Sequence, residues 1–125
     1  IYNTDGSGQS RVASVAGGQS VSFHVAIQNE GSAADTLRLQ GTGGSGGFTV
    51  KYLLGSITGA DITSQVVAGT YQFLNAASGS VNHVYAIVSV AAGTAVGTMK
   101  DCLVTAISAG DTTKRDAVRV QITAK

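Results

Sequence analysis

Between Gln19 and Gln40 apolar and polar residues alternate with a period of two, break at a polar turn, and resume. Val21, Phe23, Val25 and Ile27 share one parity while Ser22, His24, Ala26 and Gln28 share the other, so an extended backbone sends the two sets to opposite faces. That is the alternation of a half-buried strand. Leu37 and Leu39 repeat it beyond the turn at Asn29, Glu30 and Gly31, and the two stretches together read as a hairpin. The pattern returns near the end of the chain, where Val118, Val120 and Ile122 alternate with Ala117, Arg119, Gln121 and Thr123. Two other segments are apolar on both parities. In 99–108, Cys102, Val104 and Ala106 oppose Leu103, Thr105 and Ile107, as in a central strand or one under a loop. In 81–90, Val81, His83, Tyr85 and Ile87 compete with Val84, Ala86, Val88 and Val90, and a bulge could hand the inward role from one set to the other.

Glycine supplies the punctuation. The chain has 17 glycines and no proline, and they interrupt the apolar runs at short intervals, as an all-β meander or Greek key requires. Strands are predicted at 11–16, 20–28, 34–40, 48–54, 62–68, 71–75, 81–90, 99–108 and 116–124, and no window shows a sustained helical period. A length of 125 residues suits one domain, and a domain of this size removes roughly two-thirds of its unfolded surface from water. The expected core is Val21, Phe23, Val25, Ile27, Leu37, Leu39, Val118, Val120 and Ile122.

Charge narrows the range of partners. The formal net charge is +1 and the basic residues are dispersed, with Lys114 and Arg115 the sole adjacent pair, so neither a nucleic-acid backbone nor an anionic membrane finds a basic patch. Charged residues make up 12% of the chain against about 25% in an ordinary soluble domain, which leaves a surface of Ser, Thr, Gly, Gln and Ala with little protection against association. No apolar run approaches the roughly 20 residues of a membrane-spanning helix. Ile1 begins neither with a start methionine nor with a basic-then-apolar leader, so the chain reads as a mature product or an excised segment. Cys102 is alone, which rules out an intrachain disulfide.

The run GQSVSFHVAIQNEGSAADTL resembles the opening of bacterial extracellular immunoglobulin-like repeat domains, the broad group that includes the CARDB and NEW3 types. The resemblance continues through Asp61-Ile62-Thr63, the turns Ala91-Ala92-Gly93-Thr94 and Val96-Gly97-Thr98, and the closing AGDTTKRDAVRVQITAK, spanning about residues 17–125. Ala91 or Ala92 stands where that family usually carries a proline. The resemblance implies sandwiches of about seven strands in secreted or surface proteins, often in tandem, serving as spacers, adhesive units or accessories to carbohydrate-active enzymes. It carries no catalytic residues.

Candidate chemistry is sparse. Asn3 and Asp5, within Asn3-Thr4-Asp5-Gly6-Ser7-Gly8, resemble part of a calcium loop, but Ile1 and Val12 occupy the positions where such a loop needs its first acid and its bidentate glutamate. His24 and His83 lie in plain strand contexts without a nucleophile elbow. Two histidines and one cysteine scattered along the chain lack the close spacing of zinc ligand pairs. The glycine cluster from Gly41 to Gly47 lacks the lysine and helix of a phosphate loop. Apolar neighbours argue for a packed Cys102 thiol. Tyr52 and Tyr71 are the candidates for stacking on a sugar ring, though aromatics total 6% and tryptophan is absent.

The expectation is an all-β, immunoglobulin-like antiparallel β-sandwich of about seven to nine strands, occupying 11–125 behind an N-terminal extension of 1–10. Ile1 and Tyr2 in that extension are assembly candidates, because the segment could add as a strand to a neighbour's sheet edge. The expected role is a non-enzymatic structural or adhesive module, outside the cell or on its surface, without a cofactor. Its partners would be copies of itself or neighbouring repeat domains, and it could serve as the subunit of a filament or surface layer. The alternative is an accessory module that binds polysaccharide for an enzyme.

Overall fold

The alternation at Val21 to Ile27 becomes strand β2 (Ser20–Gln28), whose Phe23, Val25 and Ile27 are buried while Ser22, His24 and Ala26 face outward. The structure, a computed structural model, describes residues 10–29, 31–111 and 115–125. Asn3, Asp5, Ile1 and Tyr2 lie outside the described residues. Among those described, the remaining elements are β1 (Ser10–Val15), β3 (Asp35–Gly41), β4 (Phe48–Leu54), β5 (Ala60–Asp61), α1 (Thr63–Ala68), β6 (Tyr71–Ala76), β7 (Val81–Val90), β8 (Met99–Ser108) and β9 (Arg115–Ala124).

They form an immunoglobulin-like sandwich. One sheet has the order β1-β9-β8-β3-β6 and the other β2-β7-β4-β5. The described pairings are antiparallel except that β1 runs parallel to β9. The inner faces of the two sheets bury one continuous cluster, as two half-buried sheets must to remove their apolar sides from water. Seven of the nine expected core residues are buried in it, and Val21 and Val118 pack against its margin.

Two expectations about local structure are corrected and one open alternative is resolved. The predicted hairpin of 20–40 is instead a crossing from one sheet to the other: β2 pairs with β7, while β3 pairs with β6 and β8. The predicted strand 62–68 is instead Ile62 and the helix α1, just after the short β5, and with it goes the expectation that no window is helical. Ile62 and Val66, four residues apart, are the segment's buried side chains; one helical turn stacks them on a single face, whereas a strand would bury Ser64 between them, and Ser64 is exposed. The Asp61 carboxylate accepts the backbone N–H of Thr63 at 2.9 Å, and Gly69 ends the helix at φ 74°, the left-handed conformation that glycine adopts without steric cost. Finally, the ambiguity in β7 resolves without a bulge, since its register against β2 is regular from Ser20↔Ser89 to Gln28↔Val81. Val84, Ala86, Val88 and Val90 point inward; His83, Tyr85 and Ile87 point outward.

In β8, central in its sheet, Cys102 and Val104 face the core while Ile107 is buried on the other side, opposite Arg38 and Arg115 in the register. Both parities of a central strand are thus apolar for different reasons.

Candidate surface site on the four-stranded sheet

The outer face of β2-β7-β4 carries the exposed aromatic chemistry. Register places His24 opposite Tyr85, Tyr85 opposite Leu53, and Ala26 opposite His83, so His24 and His83 sit diagonally across a strand pair. The His24 Nε2 and His83 Nδ1 atoms are 2.7 Å apart, a hydrogen bond in which one ring nitrogen donates and the other accepts. Tyr85 packs against His24 with ring centroids 4.9 Å apart and planes inclined by 26°. Sequence spacing hides this group. The two histidines are 59 positions apart, and only the antiparallel register brings them together.

Tyr52 and Tyr71 do not form a platform. Tyr52 points from β4 into the core, fully buried, with its hydroxyl donating to the Thr42 carbonyl at 2.8 Å. Burial, with the Cys102 thiol nearby, pushes its phenol well above the usual tyrosine range. Its ring presents no face to a ligand, which corrects its candidacy for sugar stacking. Tyr71 lies in the opposite sheet, half-buried and edge-on to Phe73 at 5.2 Å. The signal for Tyr52 was in the sequence, because it shares parity with Phe48 and Val50, both buried.

Cys102 is 2% exposed, and burial raises its thiol above the ordinary value. A thiol reagent should therefore modify the native protein slower than the urea-unfolded chain by a factor of about 10³ or more, since reaction awaits opening of a central strand. Equal rates by absorbance in the two states would show that β8 is not closed over the thiol.

A cleft of about 260 Å³ opens where the β2–β3 and β8–β9 connections meet, lined in part by Asn29, Asp35, Ser108 and Gly110. The Asp35 carboxylate there accepts the Ser108 hydroxyl and, at 3.1 Å, the Gly110 N–H, tying one connection to the other. Among the described residues no three His, Cys, Asp or Glu side chains converge as a metal site. Nor is any described helix long and apolar enough to cross a membrane.

No protein-family model matches the chain, and no curated protein matches it. Solved structures do resemble it. A family 123 glycoside hydrolase from Clostridium perfringens aligns with a TM-score of 0.58 at 6% identity, over 93% of this chain and 22% of the hydrolase chain. Two weaker likenesses are the Vibrio cholerae VesB protease, with a TM-score of 0.45 at 18% identity over 90% of this chain and 30% of that one, and a PapD-like domain of human CEP192, with 0.43 at 13% over 92% and 81%. The chain thus spans about a fifth of the hydrolase chain, and at such low identity the likeness is one of fold.

Proposed function

We propose that this chain is a non-enzymatic structural or adhesive module of a secreted or cell-surface protein that associates edge to edge with copies of itself or with neighbouring repeat domains. The free edge of β2 carries the reading. This strand is nine residues long, regular in register, paired among the described residues on one side alone, and its sequence SVSFHVAIQ contains no charge and no proline. Soluble proteins usually blunt such an edge with lysine, proline or a bulge, because its open N–H and C=O groups template another strand. The far edge of the other sheet is blunted: β6 is bulged against β3, with Asn75 at φ 50°. Resemblance to extracellular repeat domains supports the setting, and the low charge of the chain supports self-association into filaments or layers.

Sedimentation velocity over rising concentration, with negative-stain micrographs of the same samples, tests this. The unmodified chain should sediment faster as concentration rises, stopping at a dimer where two β2 edges pair and growing into ordered fibres or sheets where β2 meets a different edge, and the Ser20→Lys, Ser22→Lys variant should stay monomeric. A monomer at every concentration with dispersed particles on the grid would overturn the reading.

The second reading, an accessory polysaccharide-binding module, draws on the fold shared with part of a glycoside hydrolase chain. Burial of Tyr52 weakens it.

A further inference from the structure

We propose that His24 and His83 form a two-histidine binding site for a first-row transition-metal dication, Zn²⁺ or Cu²⁺, on the outer face of the four-stranded sheet. Their facing nitrogens, Nε2 and Nδ1, are 2.7 Å apart, the ring centroids are 4.8 Å apart and the planes are inclined by 21°. So short a nitrogen contact between nearly parallel rings means that they meet edge to edge, each nitrogen aimed at the other in its own ring plane. That plane holds the lone pair a metal takes. One nitrogen of the pair already presents its lone pair, and the other presents the bridging proton. When that proton leaves and the distal nitrogen of the same ring is protonated from solvent, both facing lone pairs are free for one ion with no net change in charge on either imidazole.

The movement needed is confined to the two side chains. Zinc–nitrogen bonds of about 2.0–2.1 Å at a tetrahedral angle set the two nitrogens about 3.3 Å apart, roughly 0.6 Å wider than the hydrogen bond. Each ring must also turn by about 35° so that lone pairs now facing along one line meet at that angle; side-chain torsions supply both changes, while the backbone of β2 and β7 stays fixed by its nine-pair register. Tyr85 against His24 fixes the plane of that ring. Neutral imidazole suits Zn²⁺ and Cu²⁺, whereas Ca²⁺ and Mg²⁺ require oxygen ligands. With no third His, Cys, Asp or Glu converging there among the described residues, water or a group from another molecule completes the coordination.

The test uses the whole chain near neutral pH, dilute enough to be monomeric, so that its outcome is separate from that of edge association. Zn²⁺ is titrated by calorimetry and by NMR of the histidine ring protons, and Cu²⁺ by electron paramagnetic resonance. The expected result is one ion per chain, shifts confined to the two histidines, and nitrogen hyperfine coupling from two imidazoles. His24→Gln and His83→Gln should each weaken binding by about tenfold or more, and the double variant, which has no imidazole left at the site, should bind no more tightly than either single one. Ca²⁺ should leave the ring signals unmoved. Circular dichroism without metal confirms that the variants fold, as expected for side chains on an outer face. Either single variant binding Zn²⁺ as tightly as the unmodified chain would overturn the proposal, as would histidine signals that do not respond to Zn²⁺.

Discussion

Gly41→Ala is expected to destabilise the protein by about 3 kcal/mol, lowering its melting temperature by roughly 12 °C. Gly41 ends β3 in ordinary extended backbone, so the penalty is one of space. A Cβ there would stand 2.5 Å from the Tyr52 hydroxyl oxygen, 2.6 Å from its Cζ and 3.0 Å from a Val66 methyl. Tyr52 cannot swing aside, because its ring is fully buried and its hydroxyl is bound to Thr42. The added methyl must therefore displace the ring and break a hydrogen bond worth about 1 kcal/mol as well. A urea denaturation series measures the loss, and a cycle with Tyr52→Leu identifies its cause. Removing the ring is itself costly, but in that background the further cost of Gly41→Ala should fall well below its value in the parent. An unchanged cost would mean that something other than the ring meets the methyl group.

Asn29→Ala should cost a comparable amount, again about 3 kcal/mol. The side chain is 3% exposed; its amide donates to the carbonyls of Ala33 at 2.9 Å and Ala76 at 2.8 Å, and its oxygen accepts the Gly31 N–H at 2.9 Å. One residue thus holds the corner at which the chain leaves one sheet for the other, and its loss leaves those partners without it. Asn29→Asp distinguishes hydrogen bonding from shape. A carboxylate facing two carbonyls is disfavoured, so its folded-state pKa would lie above the unfolded value of about 3.9. The stability this variant retains in acid, where the carboxyl is neutral, should be lost as pH rises through that raised pKa, whereas the Asn29→Ala penalty should stay flat. Urea midpoints at about pH 4 and pH 7 separate the two.

The layout of strands was legible because most of them bury one face and so carry a period of two. Pairing was less legible. Alternation from Val21 to Ile27 and again at Leu37 and Leu39 says that each segment is half-buried, and two strands facing the same core from opposite sheets satisfy it as well as a hairpin does. The helix was missed because six residues complete fewer than two turns, too few to establish a period, although Asp61 ahead of Thr63 and Gly69 at the end were present as signals. Tyr52 was misplaced by weighting residue type over parity. Nothing in the linear order could join His24 to His83, since their meeting depends on β2 and β7 pairing so that the two residues fall diagonally across the strands.

The parallel partnership of β1 and β9 bears on how this domain would carry load. Six residue pairs, from Ser10↔Arg119 to Val15↔Ala124, hold the two strands side by side and running the same way. Tension entering at the start of β1 and leaving at the end of β9 drags one strand lengthwise past the other. The bonds between them then lie across the pull and share it, rather than opening one after another as they would at the frayed end of a hairpin. A domain joined to its neighbours through those two strands resists extension through the height of its unfolding barrier rather than its equilibrium stability.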